Sequence, residues 1–416
     1  MEPNSTYVFL ITVSLLIILS YLYNLLAQKT NIPSVLMLIL TGIGLAELVK
    51  ATEFRVPELF PILEVLGTVG LIMIVLEAAL DLKLTKDKTP IILKSFLTGL
   101  AGLVISAVAI AFVIQFFNDA PFGRALLYAT PMAILSSAII IPSVHGMRHD
   151  DKEFMIYEST FSDILGIMLF YAIEERFKVS SGAELLGGFT GRVAITILFS
   201  LLISYGLVLL FQNIKTQVRL FLLIAVLILL YSIGKLEHLS SLLIILVFGL
   251  VLNNYKLFFR GRMKKWIKPD AVVEMGEAFH LITLESAFIV RTLFFIVFGM
   301  TIDLVSLLEI GVFLKSMIII GIIYLIRYLV LKLIKKRSFE HLAFIAPRGL
   351  ITILLFFAIP DAYTIPTFES GVLLYVIIIS AILMTVSLIQ DAKRREAEAV
   401  LAPIEPEKIL KDEPED

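Results

Sequence analysis

The residues best suited to chemistry stand in one six-residue stretch, 158–163, which reads Glu-Ser-Thr-Phe-Ser-Asp. On a helix, Glu158 and Asp163 lie about 140° apart, and Ser162 and Ser159 lie between them on one broad face. A carboxylate beside hydroxyls and away from water can hold a proton or a small cation, but not both. Oxygen ligands suit hard ions such as Na⁺. The stretch therefore predicts a site at which a proton and a monovalent cation compete.

The elements that position these side chains must lie in a membrane. Apolar residues make up 59% of the 416 residues and charged residues 17%, whereas soluble domains have about 45–50% and about 25%. This composition excludes a soluble globular enzyme, a disordered protein and a nucleic-acid binder. The chain has no cysteine, which also excludes disulfide scaffolds, iron–sulfur clusters, thiolate zinc sites and cysteine nucleophiles.

The apolar residues fall into thirteen segments, each close to the roughly 20 residues that a membrane span needs. The sequence therefore predicts an all-α polytopic membrane protein with about thirteen transmembrane helices. The first segment lacks a basic region before it, so we interpret it as a retained helix and not as a signal peptide. The segments lie near residues 7–27, 33–49, 61–81, 89–116, 122–145, 153–174, 187–211, 218–234, 239–255, 277–301, 307–334, 340–359 and 367–390.

Basic residues in the loops predict the orientation of the chain. One set of alternate loops carries roughly three times as many lysines and arginines as the other, and basic loops stay in the cytoplasm. We therefore expect a plasma or inner membrane protein with its N-terminus outside and its C-terminus in the cytoplasm. The charged tail from residue 391 onward is expected to be solvated there.

Charges inside the segments are costly and usually functional. Arg327 lies about 12 Å from the cytoplasmic end of its segment, and Glu158 lies about 8 Å from the end of its own. The similar depth predicts a structural ion pair between them. Asp163, about 15 Å deep, is near the midplane and has no obvious cation partner. Glu77 is shallower, and it can line an inner funnel or reach the ion.

Two segments are interrupted by proline, at 129–131 (Ala-Thr-Pro) and at 346–349 (Ala-Pro-Arg-Gly). They are seven segments apart and so have opposite orientations. Interrupted segments at matching positions of two inverted halves indicate a transporter site. The alternative is two ordinary kinked helices. We predict two inverted six-helix repeats with crossed discontinuous helices, where freed carbonyls near Thr130 can ligate an ion and Arg348 can balance the half-helix ends.

These motifs resemble the monovalent cation:proton antiporter family, in its sodium/proton exchanger branch, over nearly all of residues 7–390. Residues 158–163 resemble the family's Glu-Ser-x-x-Asn-Asp motif. Thr130 and Pro131 stand where the family usually has Asp-Pro, and residues 347–349 resemble its Leu-Arg-Gly or Pro-Arg-Gly. Further similarities lie in the acidic run 71–82, in the run 294–303 and at Arg327.

The resemblance implies that Asp163 binds the ion or the proton, and that Ser159, Glu77, Ser162 and the Thr130 region complete the shell of a monovalent cation. It also implies a homodimer in which a core domain moves by elevator-like alternating access. The expected division is dimer-domain helices in 1–86 and 215–304, core-domain helices in 87–178 and 305–390, a linker helix in 179–214 and a cytoplasmic tail in 391–416.

The expected function is exchange of Na⁺, or of K⁺ or Li⁺, for protons, without a cofactor and with membrane lipid as the surroundings. Ser162 and Thr130 replace an asparagine and an aspartate of the family, and one fewer acid favours electroneutral 1:1 exchange. An organic-anion transporter on the same scaffold, with Arg348 and Arg327 binding substrate, is the alternative. A membrane-embedded enzyme is disfavoured because the serines have no histidine at their depth.

Two charges on the tenth segment have no assigned role. Glu285 and Arg291 are six residues apart, about 240° around a helix, and so cannot pair well with each other. They are expected to form contacts between helices or to act as gating groups.

Overall fold

The computed structural model describes residues 3–30, 33–51, 59–85, 87–144, 146–177, 182–214, 219–236, 241–302, 309–335 and 339–401. Most of the predicted charged tail, beyond residue 401, lies outside the described residues. Within the described ranges the chain is helical and forms no strand. The helices are α1 (Pro3–Thr30), α2 (Ser34–Ala51), α3 (Leu59–Asp81), α4 (Thr89–Asn118), α5 (Phe122–Ala133), α6 (Ser137–Ser143), α7 (His149–Arg176), α8 (Gly182–Phe211), α9 (Arg219–Leu236), α10 (Ser241–Asn253), α11 (Tyr255–Phe258), α12 (Pro269–Thr301), α13 (Ile310–Ile334), α14 (Glu340–Ala343), α15 (Leu350–Phe357) and α16 (Gly371–Leu401).

The predicted helical membrane architecture is confirmed. Each of the thirteen apolar segments corresponds to one helix, or to one pair of short helices at the two predicted breaks. In the described residues, eight elements are long and apolar enough to cross a membrane, with α5 and α6 counted together. Three shorter apolar helices lie at 197–211, 220–234 and 242–253. The segments thus supply the scaffold that the candidate site requires.

Two helices extend well beyond the apolar segments from which they were predicted. The helix α12 begins at Pro269, eight residues before the segment, because a proline fits the first turn of a helix, where its missing N–H has no intrahelical acceptor. The helix α16 continues to Leu401, past the predicted end at 390. Its extension is rich in alanine, glutamate, lysine and arginine, which are strong helix formers in water.

The helices pack in two groups. In one group α4 packs against α5, α7 and α13, and α13 also packs against α16. In the other, α12 packs against α2 and α3, while α10 packs against α3, α8 and α9. The helix α3 also contacts α7 and α15, and so lies between the groups. The first group consists of helices assigned above to the core domain, and the second combines helices assigned to the dimer domain with α8, the expected linker helix. The division into domains stays a prediction.

Candidate functional site

The site is built around the two broken helices. The helix α5 ends at Ala133, and extended backbone leads to α6 at Ser137. The first break was predicted at 129–131 and instead lies at 134–136, because α5 continues through Pro131 for its last turn. In the second break, residues 344–349 separate α14 from α15. Pro347 contributes to this break, since proline lacks the N–H that a helix needs and biases the preceding residue away from helical backbone. The breaks touch directly, because the Ser136 N–H donates to the Pro347 carbonyl at 3.0 Å.

Glycines at two positions allow this close approach. A Cβ on Gly349 would lie 2.6 Å from Ser136 Oγ and 2.8 Å from Ile139 Cδ1. A Cβ on Gly166 of α7 would overlap the side chain of Ile134 in the first break. The limitation at both positions is space and not backbone conformation. Larger residues there would separate the two breaks from each other and from α7.

Arg348 is 2% exposed and lies where the breaks meet. Its Nε donates to the Met132 carbonyl at 2.8 Å, its Nη1 to the Ala346 carbonyl at 2.6 Å and its Nη2 to the Ala133 carbonyl at 3.4 Å. Carbonyls at a helix C-terminus lack intrahelical donors and carry partial negative charge. The guanidinium therefore faces the half-helix end whose charge it was expected to balance, and it occupies carbonyls that were considered as ion ligands.

Asp163 lies on α7 against the first break and is 2% exposed. Its Oδ2 accepts the backbone N–H of Ser137, the first residue of α6, at 3.2 Å. The neighbouring Ser162 Oγ accepts the N–H of Leu135 at 3.0 Å. Asp163 Oδ1 is buried and has no hydrogen-bond partner among the described residues. One carboxylate oxygen is therefore anchored, and the other is available for a proton or a cation.

The hydroxyls expected in the ion shell are buried near this motif. Ser159 Oγ donates to the Ile156 carbonyl at 3.2 Å, and Thr130 Oγ1 donates to the Leu126 carbonyl at 2.8 Å. Each hydroxyl oxygen keeps lone pairs that can accept a proton or ligate a cation. In each case the hydroxyl proton is used in a bond within the residue's own helix, and the oxygen lone pairs are not used by that bond.

Glu158 on α7 and Arg327 on α13 form a buried ion pair between the two helices, as their matched depths predict. Arg327 Nη1 donates to Glu158 Oε1 at 2.7 Å and Nη2 to Oε2 at 3.2 Å. The guanidinium also donates twice to the Leu342 carbonyl, at 3.2 and 3.1 Å. Glu158 is 1% exposed and Arg327 is 6% exposed. This bidentate geometry joins α7 to α13 and leaves neither charge buried alone.

Glu77 has a partner that sequence reasoning did not identify. Arg291 Nη2, on α12, lies 3.2 Å from both Glu77 carboxylate oxygens, on α3. Glu77 lies on α3, which contacts α7, the helix that carries Asp163. Glu285, on another face of α12, is exposed. The expected interhelical contact is therefore present for Arg291, and Glu77 is the other half of this ion pair.

A small cavity lies between α4, α7 and α13. Its lining includes Ser106 together with Glu158, Ser162, Arg327 and Arg348. Asp163 is not part of this lining, because it lies on an adjoining face of α7. The cavity is large and polar enough for an ordered water, and it reaches the motif from the side of the ion pair.

Comparisons with known proteins give a consistent result. The sequence matches the family described as "Sodium/hydrogen exchanger, transmembrane" over residues 13–390. The structure is similar to that of the sodium proton antiporter MjNhaP1 from Methanocaldococcus jannaschii at pH 8, with a TM-score of 0.68, 19% identity and coverage of 94% of this chain and 100% of that chain. A structure of MjNhaP1 by electron microscopy matches with a TM-score of 0.64, 20% identity and full coverage of both chains. The comparison with curated proteins gives no match.

Proposed function

We propose, on the premise that the chain belongs to the sodium/hydrogen exchanger family, that it exchanges Na⁺ for protons by alternating access. Family membership confirms the resemblance inferred from the motifs, and the family consists of transporters and not enzymes. The observation that carries the proposal is the buried Asp163, which has one oxygen anchored on Ser137 and the other unpartnered. K⁺ and Li⁺ are further candidate cations, because the oxygen groups near Asp163 suit any hard monovalent ion.

The burial of Asp163 couples the transport of the cation to the transport of the proton. A charged carboxylate without a partner is costly away from water. A proton neutralises Asp163, and so does a bound cation, so both loaded states can be carried between the two sides of the membrane. The unloaded site keeps its charge, and its passage is disfavoured. Because Asp163 is closed off in this conformation, loading requires a movement of the core group against the group that contains α12.

The charges around Asp163 favour electroneutral 1:1 exchange. Glu158 is neutralised by Arg327, and Glu77 by Arg291. Thr130, in the last turn of α5 before the first break, carries a neutral hydroxyl. Of these three acidic residues, Asp163 is therefore the one without a cationic partner among the described residues. We propose that one proton replaces one cation on it in each cycle.

The assembly and the orientation are part of the same proposal. We place the N-terminus outside and the C-terminus in the cytoplasm, and we propose a homodimer held by the group of helices that contains α2, α3 and α12. The core group, with α4, α5, α7, α13 and α16, then moves in each protomer. Contacts of α3 with α7 and α15 lie where the two groups would slide.

The organic-anion alternative is disfavoured by the engagement of both arginines. Arg327 is committed to Glu158 and to the Leu342 carbonyl. Arg348 donates to three carbonyls at the breaks. Neither guanidinium has a pair of unengaged N–H groups with which to bind an anionic substrate.

Proteoliposomes with an imposed pH gradient test the proposed function. Added Na⁺, K⁺ or Li⁺ should dissipate the gradient at a rate that depends on the cation. The rate should be the same whether the membrane voltage is clamped or free, since 1:1 exchange moves no net charge. An unchanged gradient with every cation, or dissipation only by an organic anion, would contradict the proposal.

A further prediction concerns Arg291. Arg291→Gln leaves the Glu77 charge uncompensated near Asp163, so it should lower the apparent KM for the cation at alkaline pH by about threefold or more. The double variant Arg291→Gln/Glu77→Gln removes both charges and should return the KM toward the wild-type value. Exchange rates at saturating and limiting cation measure both effects. An unchanged KM in the single variant would show that the Glu77 charge does not act on the ion.

A further inference from the structure

Two unpartnered buried oxygens belong to residues three positions apart on α7. Among the described residues, three buried side-chain atoms lack a hydrogen-bond partner, namely Thr160 Oγ1, Asp163 Oδ1 and Asn253 Nδ2. Such atoms are rare in native proteins, and each calls for an explanation, of which an ion or an ordered water is one. Two of the three belong to residues three positions apart in the same helix. This pairing indicates one shared ligand.

The helix geometry places Thr160 and Asp163 next to each other on α7. Residues three apart in a helix are neighbours, with Cβ atoms about 5–6 Å from each other. Thr160 lies about 60° around α7 from Asp163, on the side opposite to Ser159. Thr160 is fully buried, at 0% exposed. Asp163 is therefore flanked by two hydroxyls, of which Ser159 is bonded to its own helix and Thr160 is not.

The side-chain conformation of Thr160 departs from that of other helical threonines in this protein. A threonine within a helix commonly donates to the carbonyl four residues earlier. Seven threonines do so among the described residues, namely Thr30, Thr41, Thr98, Thr130, Thr283, Thr292 and Thr385. The Thr160 hydroxyl makes no such bond. Its oxygen and its proton are both available to groups at the site.

We propose that the Thr160 hydroxyl is a ligand of the cation bound at Asp163 and helps to determine which cation is carried. This inference rests on the proposed function, since it adds a ligand to the same site. The hydroxyl oxygen ligates the cation next to Asp163 Oδ1. The ligand is neutral, so it leaves the 1:1 charge balance unchanged.

The chemistry of the isolated hydroxyl supports this assignment. A buried hydroxyl without a partner is destabilising, and a methyl group of the same shape is not. Valine at this position would therefore give a more stable protein if the residue only filled space. A cation ligated by the hydroxyl satisfies it and recovers the lost stability.

The test compares Thr160→Val, which removes the hydroxyl, with Thr160→Ser, which keeps it. Thr160→Val should raise the apparent KM for the preferred cation about tenfold, with little change in kcat, and should change the ratio of Na⁺ to K⁺ transport. Thr160→Ser should stay within about twofold of the wild type. Thr283→Val, which removes a hydroxyl bonded to its own helix, is the matched control and should leave the KM unchanged.

Thermal unfolding in detergent, with and without the cation, supplies a second readout. Without the cation, Thr160→Val should melt at or above the wild-type temperature, and the cation should stabilise it less than it stabilises the wild type. A KM within twofold of the wild type, or a Thr160→Val protein that is less stable without the cation or does not fold, would overturn the proposal. The variant Asp163→Asn distinguishes a failure of the Thr160 assignment from a failure of the proposed function. If Asp163→Asn is inactive and Thr160→Val is normal, only the Thr160 assignment fails. An active Asp163→Asn refutes the proposed function.

Discussion

Asp163→Asn should reduce cation/proton exchange in proteoliposomes to the level of protein-free vesicles, while the protein still folds. Asparagine has the shape of aspartate, and its carbonyl oxygen can still accept the Ser137 N–H that anchors Oδ2. It can neither take up a proton nor balance the charge of a cation. Both loaded states are therefore lost at once. The rate of pH-gradient dissipation after addition of Na⁺, K⁺ or Li⁺ measures the effect.

A second acidic residue on the same helix is the matched control. Glu153 lies near the N-terminus of α7 and contacts Lys88, outside the candidate site. Glu153→Gln removes a carboxylate from α7 but leaves Asp163 untouched, so its exchange rate should stay within about twofold of the wild type, as expected for a partly exposed ion pair. Exchange at a normal rate in Asp163→Asn would refute the assignment of Asp163.

Arg327→Ala should be the most destabilising single change at the site, by about 3–5 kcal/mol in the free energy of unfolding. It leaves Glu158, which is 1% exposed, without a counter-charge and removes the two guanidinium donors of the Leu342 carbonyl. Adding Glu158→Gln removes the isolated charge and should recover part of the loss. Unfolding in detergent by heat or denaturant, followed by circular dichroism, provides the measurement.

Lys315 on α13 provides the control for the Arg327 and Glu158 variants. It forms an ion pair with Glu369, but both side chains are partly exposed, at 20% and 32%. Lys315→Ala should therefore cost less than about 1 kcal/mol. If Arg327→Ala/Glu158→Gln is no more stable than Arg327→Ala alone, the isolated charge of Glu158 is not the cause of the instability.

Features that depend on the position of a residue along its helix could be predicted from the sequence. The membrane spans follow from apolar length, and the second break from Pro347. Pro131 identified the interrupted segment but not the break itself, which falls at 134–136, after the helical turn that contains the proline. Glu158 and Arg327 could be matched because both lie at similar distances from a cytoplasmic helix end, and their side chains meet at that depth. These predictions required only helix rise, helix period and the cost of charge in lipid.

Features that depend on side-chain reach and direction could not be predicted in this way. On α3 and α12, Asp81 pairs with His280 and Glu77 pairs with Arg291. Glu77 is about 6 Å along α3 from Asp81, whereas Arg291 is about 16 Å along α12 from His280, so matching by depth misses this pair. A long arginine side chain directed toward the helix N-terminus closes the difference. The unbonded hydroxyl of Thr160 depends on its side-chain rotamer, which no spacing in the sequence reveals.

The central claim is that a proton and a cation take turns on a single carboxylate, so the most direct measurement counts protons released as the cation binds. In weakly buffered detergent solution, at a pH where the site is loaded with a proton, Na⁺ should release about one proton per cation bound. The apparent affinity for the cation should fall as the pH is lowered, and Asp163→Asn should show neither binding nor release. Cation binding without proton release, or unchanged release from Asp163→Asn, would contradict the account.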